Sequence, residues 1–314
     1  MSDKLVLAVL GASGNQGYSV ASTVLSDADL SARYNVRAIS RDTTSPAMQR
    51  LASQGASLAA ADMDAPSTLS PSLAGVNTLF FITATQHQGN TREIETRQAR
   101  AVCDAALAAG VGYIIFSSMS HPYKISGGKL ARVVHFDDKA EIELYIRGLP
   151  VKSSFFAPAS FMQNFMTHFM RPVPSREGDG TYVLANCAYG HTRTPFIDVT
   201  ETGKWVGAIL AEPEKYEGRQ FAAASEILTM DEIAQIVSRV TGKVVKHQNL
   251  PDEVFKGFMP EGMREQLYEM FAFQRDYGYY GPTMDQDVAW AKANARGKLT
   301  GLEAFLKKHN YTLE

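Results

Sequence analysis

Only two cysteines, Cys103 and Cys187, occur in the 314 residues. They lie far apart, without a C-x-x-C pair or a histidine at metal-ligand spacing, which excludes a disulfide scaffold and a cysteine-held metal centre. A reducing, cytoplasmic setting is expected, with both thiols acting as small buried hydrophobes; no metal site is expected. No apolar stretch approaches the ~20 residues that span a membrane. The first apolar run has only the length of a strand, follows Asp3 and Lys4 and ends in glycines, unlike a signal peptide. Neither charge sign is in excess, with 31 Lys and Arg against 33 Asp and Glu and no basic run, which argues against direct nucleic-acid contact. No repeat of roughly 20–50 residues is visible. What remains is a chain of ordinary composition, 45% hydrophobic, long enough for about two domains of ~150 residues.

The informative stretch comes early. Leu5 to Leu10 is apolar and partly β-branched, and it runs into Gly11-Ala12-Ser13-Gly14-Asn15-Gln16-Gly17 before the amphipathic Val20-Ala21-Val24-Leu25 segment. This reads as strand, tight turn, helix. Gly11 can take the backbone angle of a sharp turn, Gly14 lets main-chain N–H groups approach a pyrophosphate, and Gly17 lets the helix pack close to its strand. A dinucleotide phosphate would sit on the helix N-terminus.

Further strands are expected over 34–40, 58–63, 76–82, 111–116 and 151–156, with helices over 93–109 and 131–147 between them. Strands alternating with helices at these distances imply a doubly wound parallel α/β sheet with its ligand at the carboxyl ends of the strands. Arg41 follows the second strand, where a cation meets the 2′-phosphate of NADP, and Arg37 is a second candidate cation; Asp42 would repel that phosphate if it turned inward. Asp62 could reach the adenine amine or cap a turn. Thr83-Ala84-Thr85 are small enough for a cofactor to pass over the strand end, and the fifth strand opens onto Ser117-Ser118. His135 and Lys139 share a helix face; Lys139 can bond a nicotinamide ribose or pair with Glu143 on the helix surface. Phe161 to Met166 is either core or a pocket wall, and Gln163 and Asn164 favour the pocket. Beyond residue 157 the rhythm becomes irregular, with a hairpin turn at 178–180, a short strand at 195–197, a capping box at Thr229–Glu232 and a strand at 244–247. The aromatic 257–280 stretch should cover the core of a smaller domain, and it also suits a planar aromatic substrate.

With these residues assembled, the chain resembles the NmrA-like family of atypical short-chain dehydrogenases. The segments that carry the likeness are the 11–17 loop, 36–42, Phe116-Ser117-Ser118, His135 to Ile142, Phe161 to Phe165 and 299–306. The resemblance implies a Rossmann domain over 1–156, with returns near 194–211 and 219–248, interleaved with a smaller α+β domain within 157–314 that serves a substrate or a partner. It implies NADP(H) held by Gly11, Ser13, Gly14, Asn15, Gln16 and Gly17, by Arg37 and Arg41, by Asp62 and Met63, by Thr83, Ala84 and Thr85, by Ser117 and Lys139, and by Phe161, Gln163 and Asn164. Ordinary short-chain dehydrogenases use Tyr-x-x-x-Lys, and here His135 stands in the tyrosine position. The family therefore offers two expectations. One is an NADPH-dependent reductase of a small carbonyl, imine or activated C=C substrate, aromatic if the 257–280 stretch selects it, with Lys139 placing the ribose and His135, Tyr123 or water giving the proton. The other is a non-catalytic NADP(H) sensor, cytoplasmic or nuclear, that regulates transcription through a protein partner.

Overall fold

The structure, a computed structural model, describes residues 4–85 and 90–313. Its strands are β1 (Leu5–Leu10), β2 (Tyr34–Ser40), β3 (Ser57–Ala60), β4 (Thr78–Phe81), β5 (Tyr113–Ser117), β6 (Lys152–Pro158), β7 (Ser160–Phe161), β8 (Val173–Pro174), β9 (Tyr182–Asn186), β10 (Arg193–Ile197), β11 (Gln220–Ala223), β12 (Glu226–Thr229) and β13 (Val245–Asn249). The helices are α1 (Asn15–Ser26), α2 (Ala28–Arg33), α3 (Pro46–Ser53), α4 (Leu69–Leu73), α5 (Thr91–Ala108), α6 (Pro122–Ile125), α7 (Val134–Arg147), α8 (Thr202–Ala211), α9 (Pro213–Tyr216), α10 (Met230–Thr241), α11 (Asp252–Lys256), α12 (Arg264–Tyr277), α13 (Met284–Asn294) and α14 (Leu302–Lys308).

Seven strands form one parallel sheet in the order β11-β6-β5-β4-β1-β2-β3. Both faces are covered, which is why these strands are nearly continuous apolar runs instead of alternating ones. Alternate residues of β1 still go to opposite cores: Leu7 and Val9 pack with α1, α8 and Val36, whereas Ala8 and Leu10 pack with Leu69, Val102 and Ile142. The chain order reverses between β1 and β4, so the carboxyl ends of those two strands flank a crevice. Register aligns that edge: Leu10 pairs with both Ile39 and Phe81, and Phe81 with Phe116. Residues 11, 40–41, 82–85 and 117–118 therefore leave the sheet side by side.

Two three-stranded sheets, β12-β10-β7 and β13-β9-β8, complete the architecture. With α10 and α14 they enclose a separate apolar cluster that includes Met162, Phe165, Phe196, Ile233 and Phe305. Thr229 and Glu232 form the expected capping box of α10. Of the returns expected to the large sheet, β11 joins its edge and α8 packs on α1, where a Cβ on Gly203 would stand 2.1 Å from Thr23 Oγ1. The 193–197 and 245–249 strands instead belong to the small sheets; a strand of five residues, with polar side chains among its members, does not encode which sheet it joins. The aromatic 257–280 stretch also differs from expectation. Met270, Phe271, Tyr279 and Tyr280 pack into the core on the α1 side of the large sheet. The Tyr279 and Tyr280 hydroxyls donate to the carbonyls of Pro158 and Ala157 at the end of β6, at 3.2 and 2.8 Å, which docks this stretch there.

Both cysteines are free and buried, and burial pushes the Cys103 thiol up to about 12 and Cys187 up to about 11. Among the described residues no helix is long and apolar enough to cross a membrane, and no group of three His, Cys, Asp or Glu side chains could hold a metal ion.

Candidate functional site

The glycine loop closes over the carboxyl end of β1. Gly11 has φ +86°, in the left-handed region, and its N–H and that of Ala12 both donate to Ile39 O at 3.0 and 3.1 Å. A Cβ on Gly17 would stand 2.3 Å from Gly11 O, so glycine is the residue that fits there, whereas a Cβ on Gly14 would meet the same oxygen at 3.4 Å. Gly14 is the N-cap of α1 and provides no side-chain cap. The orphan N–H groups of the first turn and the positive helix end thus suit an anionic ligand. Gln16 is buried and accepts from Ser117 Oγ at 2.7 Å, and the Ser13 and Ser40 hydroxyls lie 2.9 Å apart. The side chain of Asn15 is exposed.

The second edge residue is Arg41, exposed and without a hydrogen bond or ion pair among the described residues. Asp42 is occupied: its carboxylate accepts from Thr44 N at 2.8 Å and Thr44 Oγ1 at 2.6 Å, and the Thr44 hydroxyl leads in holding it below the usual carboxylate value. Arg37 is a correction. Its Nη1 donates to the carbonyls of Ser72 and Ala74 at 2.9 and 2.8 Å, so it caps the C-terminal end of α4 and is no free cation for a phosphate. Asp62 accepts from Asp64 N at 3.0 Å, the turn-capping alternative, and Met63 packs on the core behind β1. Asp64, which the sequence reading did not single out, holds Arg97 and Gln98; Arg97 leads in lowering its carboxyl, and Arg41 contributes to the same shift.

At the β4 edge stands a buried polar cluster. Lys139 Nζ donates to Glu95 at 2.5 Å, to Thr85 Oγ1 at 2.8 Å and to Thr83 Oγ1 at 3.4 Å. Thr83 Oγ1 also donates to Glu95 at 2.5 Å. Glu95 is 0% and Lys139 6% exposed. Burial pushes the Lys139 ammonium below the ordinary lysine value, and the charge of Glu95 is the leading opposition. The expected surface pair between Lys139 and Glu143 is not formed; Glu143 instead receives Arg147 Nη2 at 2.6 Å and Gln220 Nε2 at 2.6 Å. Glu95 could have been found in the sequence as the acidic residue on the inward stripe of α5, in line with Gln98, Ala99 and Val102. Gln98 reaches Ala84 N, its Oε1 accepting at 3.3 Å.

The expected proton donors are placed unequally. His135 lies one turn before Lys139 on α7, its Nδ1 2.7 Å from Gln266 Nε2 of α12, with its ring edge-on to Phe136. Tyr123 is 49% exposed on α6; its hydroxyl stands against Gly128 of its own loop and makes no hydrogen bond to Lys139. That loop is tied down by His121, whose ring nitrogens each lie 2.7 Å from a carboxylate, Asp137 and Glu141 of α7. Gln163 is engaged within the protein: Nε2 donates to Asp198 at 2.7 Å and Oε1 accepts from Val199 N at 3.2 Å, so its amide clamps the 162–166 turn to the entry of α8. The amide of Asn164 has no hydrogen-bond partner among the described residues, and Phe161 packs against the core on the α1 side.

Comparison with known proteins adds the lineage. The NmrA-like family model matches residues 3–306. An NmrA-like family domain-containing protein of Dictyostelium discoideum is 32% identical, with all of both chains covered. The NmrA-like family domain-containing oxidoreductase FrzB of Cladobotryum sp is 29% identical, covering 88% of this chain and 86% of its own. Among solved structures, triphenylmethane reductase of Citrobacter sp. complexed with NADP(H) superposes with a TM-score of 0.74 at 23% identity, covering 98% of this chain and 99% of its own. NmrA, a negative transcriptional regulator, in complex with NADP, superposes with a TM-score of 0.78 at 20% identity over 97% of this chain and 95% of its own.

Proposed function

Because this chain belongs to the NmrA-like family, we propose that it is an NADPH-dependent reductase of a small carbonyl, imine or activated C=C substrate. The observation that carries the reading is the buried Lys139 ammonium bonded to Thr83 and Thr85 at the edge where the uncapped N-terminus of α1 also opens. NADPH, when bound, supplies the hydride. The glycine loop of 11–17 would hold its pyrophosphate, Arg41 its 2′-phosphate, and Lys139 its nicotinamide ribose while adding positive potential beside the reacting carbon. His135, on the same helix face, is the candidate to hold and release the proton the reduced substrate takes up. The small sheets with α10 and α14 would supply the wall that selects the substrate. The oxidoreductase and reductase relatives support this reading.

A second reading, a non-catalytic NADP(H) sensor with a protein partner, is favoured by one observation. All three donors of Lys139 are spent inside the protein, and among the described residues no tyrosine hydroxyl joins them.

Cofactor choice is tested by titration with NADPH and NADH. NADPH is expected to bind more tightly, because Arg41 is uncommitted while Asp42 is engaged by Thr44. Arg41→Ala is expected to weaken NADPH by about 10–100-fold, the worth of about 1.5–3 kcal/mol for hydrogen bonds to a charged group, and to leave NADH nearly unchanged. Equal loss for both cofactors would remove Arg41 from the 2′-phosphate site.

A further inference from the structure

We propose that Glu95 is the positioning residue that fixes Lys139 at the sheet edge, and that Thr85 is the partner that yields when ribose hydroxyls arrive. The proposal rests on the cofactor reading above. An ammonium has three N–H donors, and here Glu95, Thr83 and Thr85 take them. These acceptors are not equivalent. Glu95 and Thr83 are buried and bonded to each other, whereas Thr85 is half-buried at the mouth of the strand end. An arriving hydroxyl can replace Thr85 while the carboxylate below keeps the lysine extended along its course.

Among the described residues no other anion contacts that ammonium. From α7, Asp138 is bonded by Arg92 at 2.7 Å, Glu143 by Arg147, and His135 by Gln266. From α5, Arg92 faces Asp138 and Thr91 reaches Glu95 at 3.4 Å. Among the described residues the strand edges bring only the Thr83 and Thr85 hydroxyls to the ammonium, while Ser118 donates to the main-chain carbonyl of Lys139 at 3.5 Å. Removing the Glu95 charge therefore leaves burial largely unopposed, with Asp138 the lesser counterweight.

The test follows the Lys139 Cε resonance over pH in the full chain labelled with ¹³C-lysine, assigned by its loss in Lys139→Met. In Glu95→Gln its titration midpoint is expected about 1–3 pH units lower than in the wild type. NADPH affinity is expected to be weaker at alkaline pH and to recover towards wild type on acidification. Glu95→Asp keeps the charge and should lower the midpoint by less, which also serves if Glu95→Gln does not fold. An unchanged midpoint in a folded variant, with normal NADPH binding, would overturn the assignment of Glu95. A wild-type chain that binds no NADPH would overturn the cofactor reading beneath it.

Discussion

Replacing Gly17 by alanine is expected to disable the phosphate cradle more completely than any other single methyl. The added Cβ would lie 2.3 Å from Gly11 O, 2.7 Å from Gly11 C and 3.0 Å from Ala12 Cα. All three are backbone atoms, and both Gly11 and Ala12 are pinned through their N–H groups to Ile39 O of the neighbouring strand. Neither the loop nor α1 can yield without breaking that bond or lifting the helix from the sheet. Overpacking of this kind costs about 1–3 kcal/mol in cores with flexible neighbours, and a backbone collision lies at the upper end. Thermal unfolding should report the loss, and NADPH should bind at least about tenfold more weakly, since about 1.4 kcal/mol is a factor of ten. Gly14→Ala is the matched control: its Cβ meets Gly11 O at 3.4 Å, so the variant should unfold like the wild type.

The second large effect is expected from Lys139→Met. Glu95 is wholly buried and its short bond to the ammonium is its principal charge-compensating contact. Breaking a buried pair by removing one partner costs about 3–5 kcal/mol, mostly the penalty of the charge left behind. The double variant Lys139→Met/Glu95→Gln should recover much of that stability, because the stranded charge is gone, yet it should not recover NADPH turnover. Recovery of both would make Lys139 a structural residue only. The pH dependence has a definite sign. Deprotonation of Lys139 removes the cation from the site, and burial holds its value below the ordinary lysine value of about 10.4. NADPH affinity should thus fall as pH rises, and should do so earlier than for an exposed lysine.

The large sheet was legible because its signal is local. A strand that ends in a glycine turn before a helix declares itself within twenty residues, and buried parallel strands are visible as short apolar runs between helices. Register then brings 11, 41, 83–85 and 117 to one edge, which follows from topology. Pairings between distant side chains were not legible. Arg37 and Arg41 are four residues apart and look alike in sequence, but Arg37 lies where the end of α4 offers it two carbonyls. Glu143 stands at the right spacing for Lys139 and pairs with Arg147 instead, because Lys139 turns inward to Glu95, 44 residues earlier on the preceding long helix α5. Gln163 is polar among aromatics for a reason the sequence does not hold, a clamp on Asp198. The small sheets were the least legible, since their strands are two to five residues long and, apart from the β8–β9 hairpin around the expected 178–180 turn, pair across long connections.

The most direct measurement of the central claim is NADPH oxidation, followed by the absorbance of the reduced nicotinamide, against quinones, aryl ketones, enones and cyclic imines. Wild type and Lys139→Met would be run side by side with a direct NADPH titration. The reductase account predicts turnover on at least one of these classes that is lost in Lys139→Met; tight NADPH binding with no turnover on any of them would contradict it and leave the sensor.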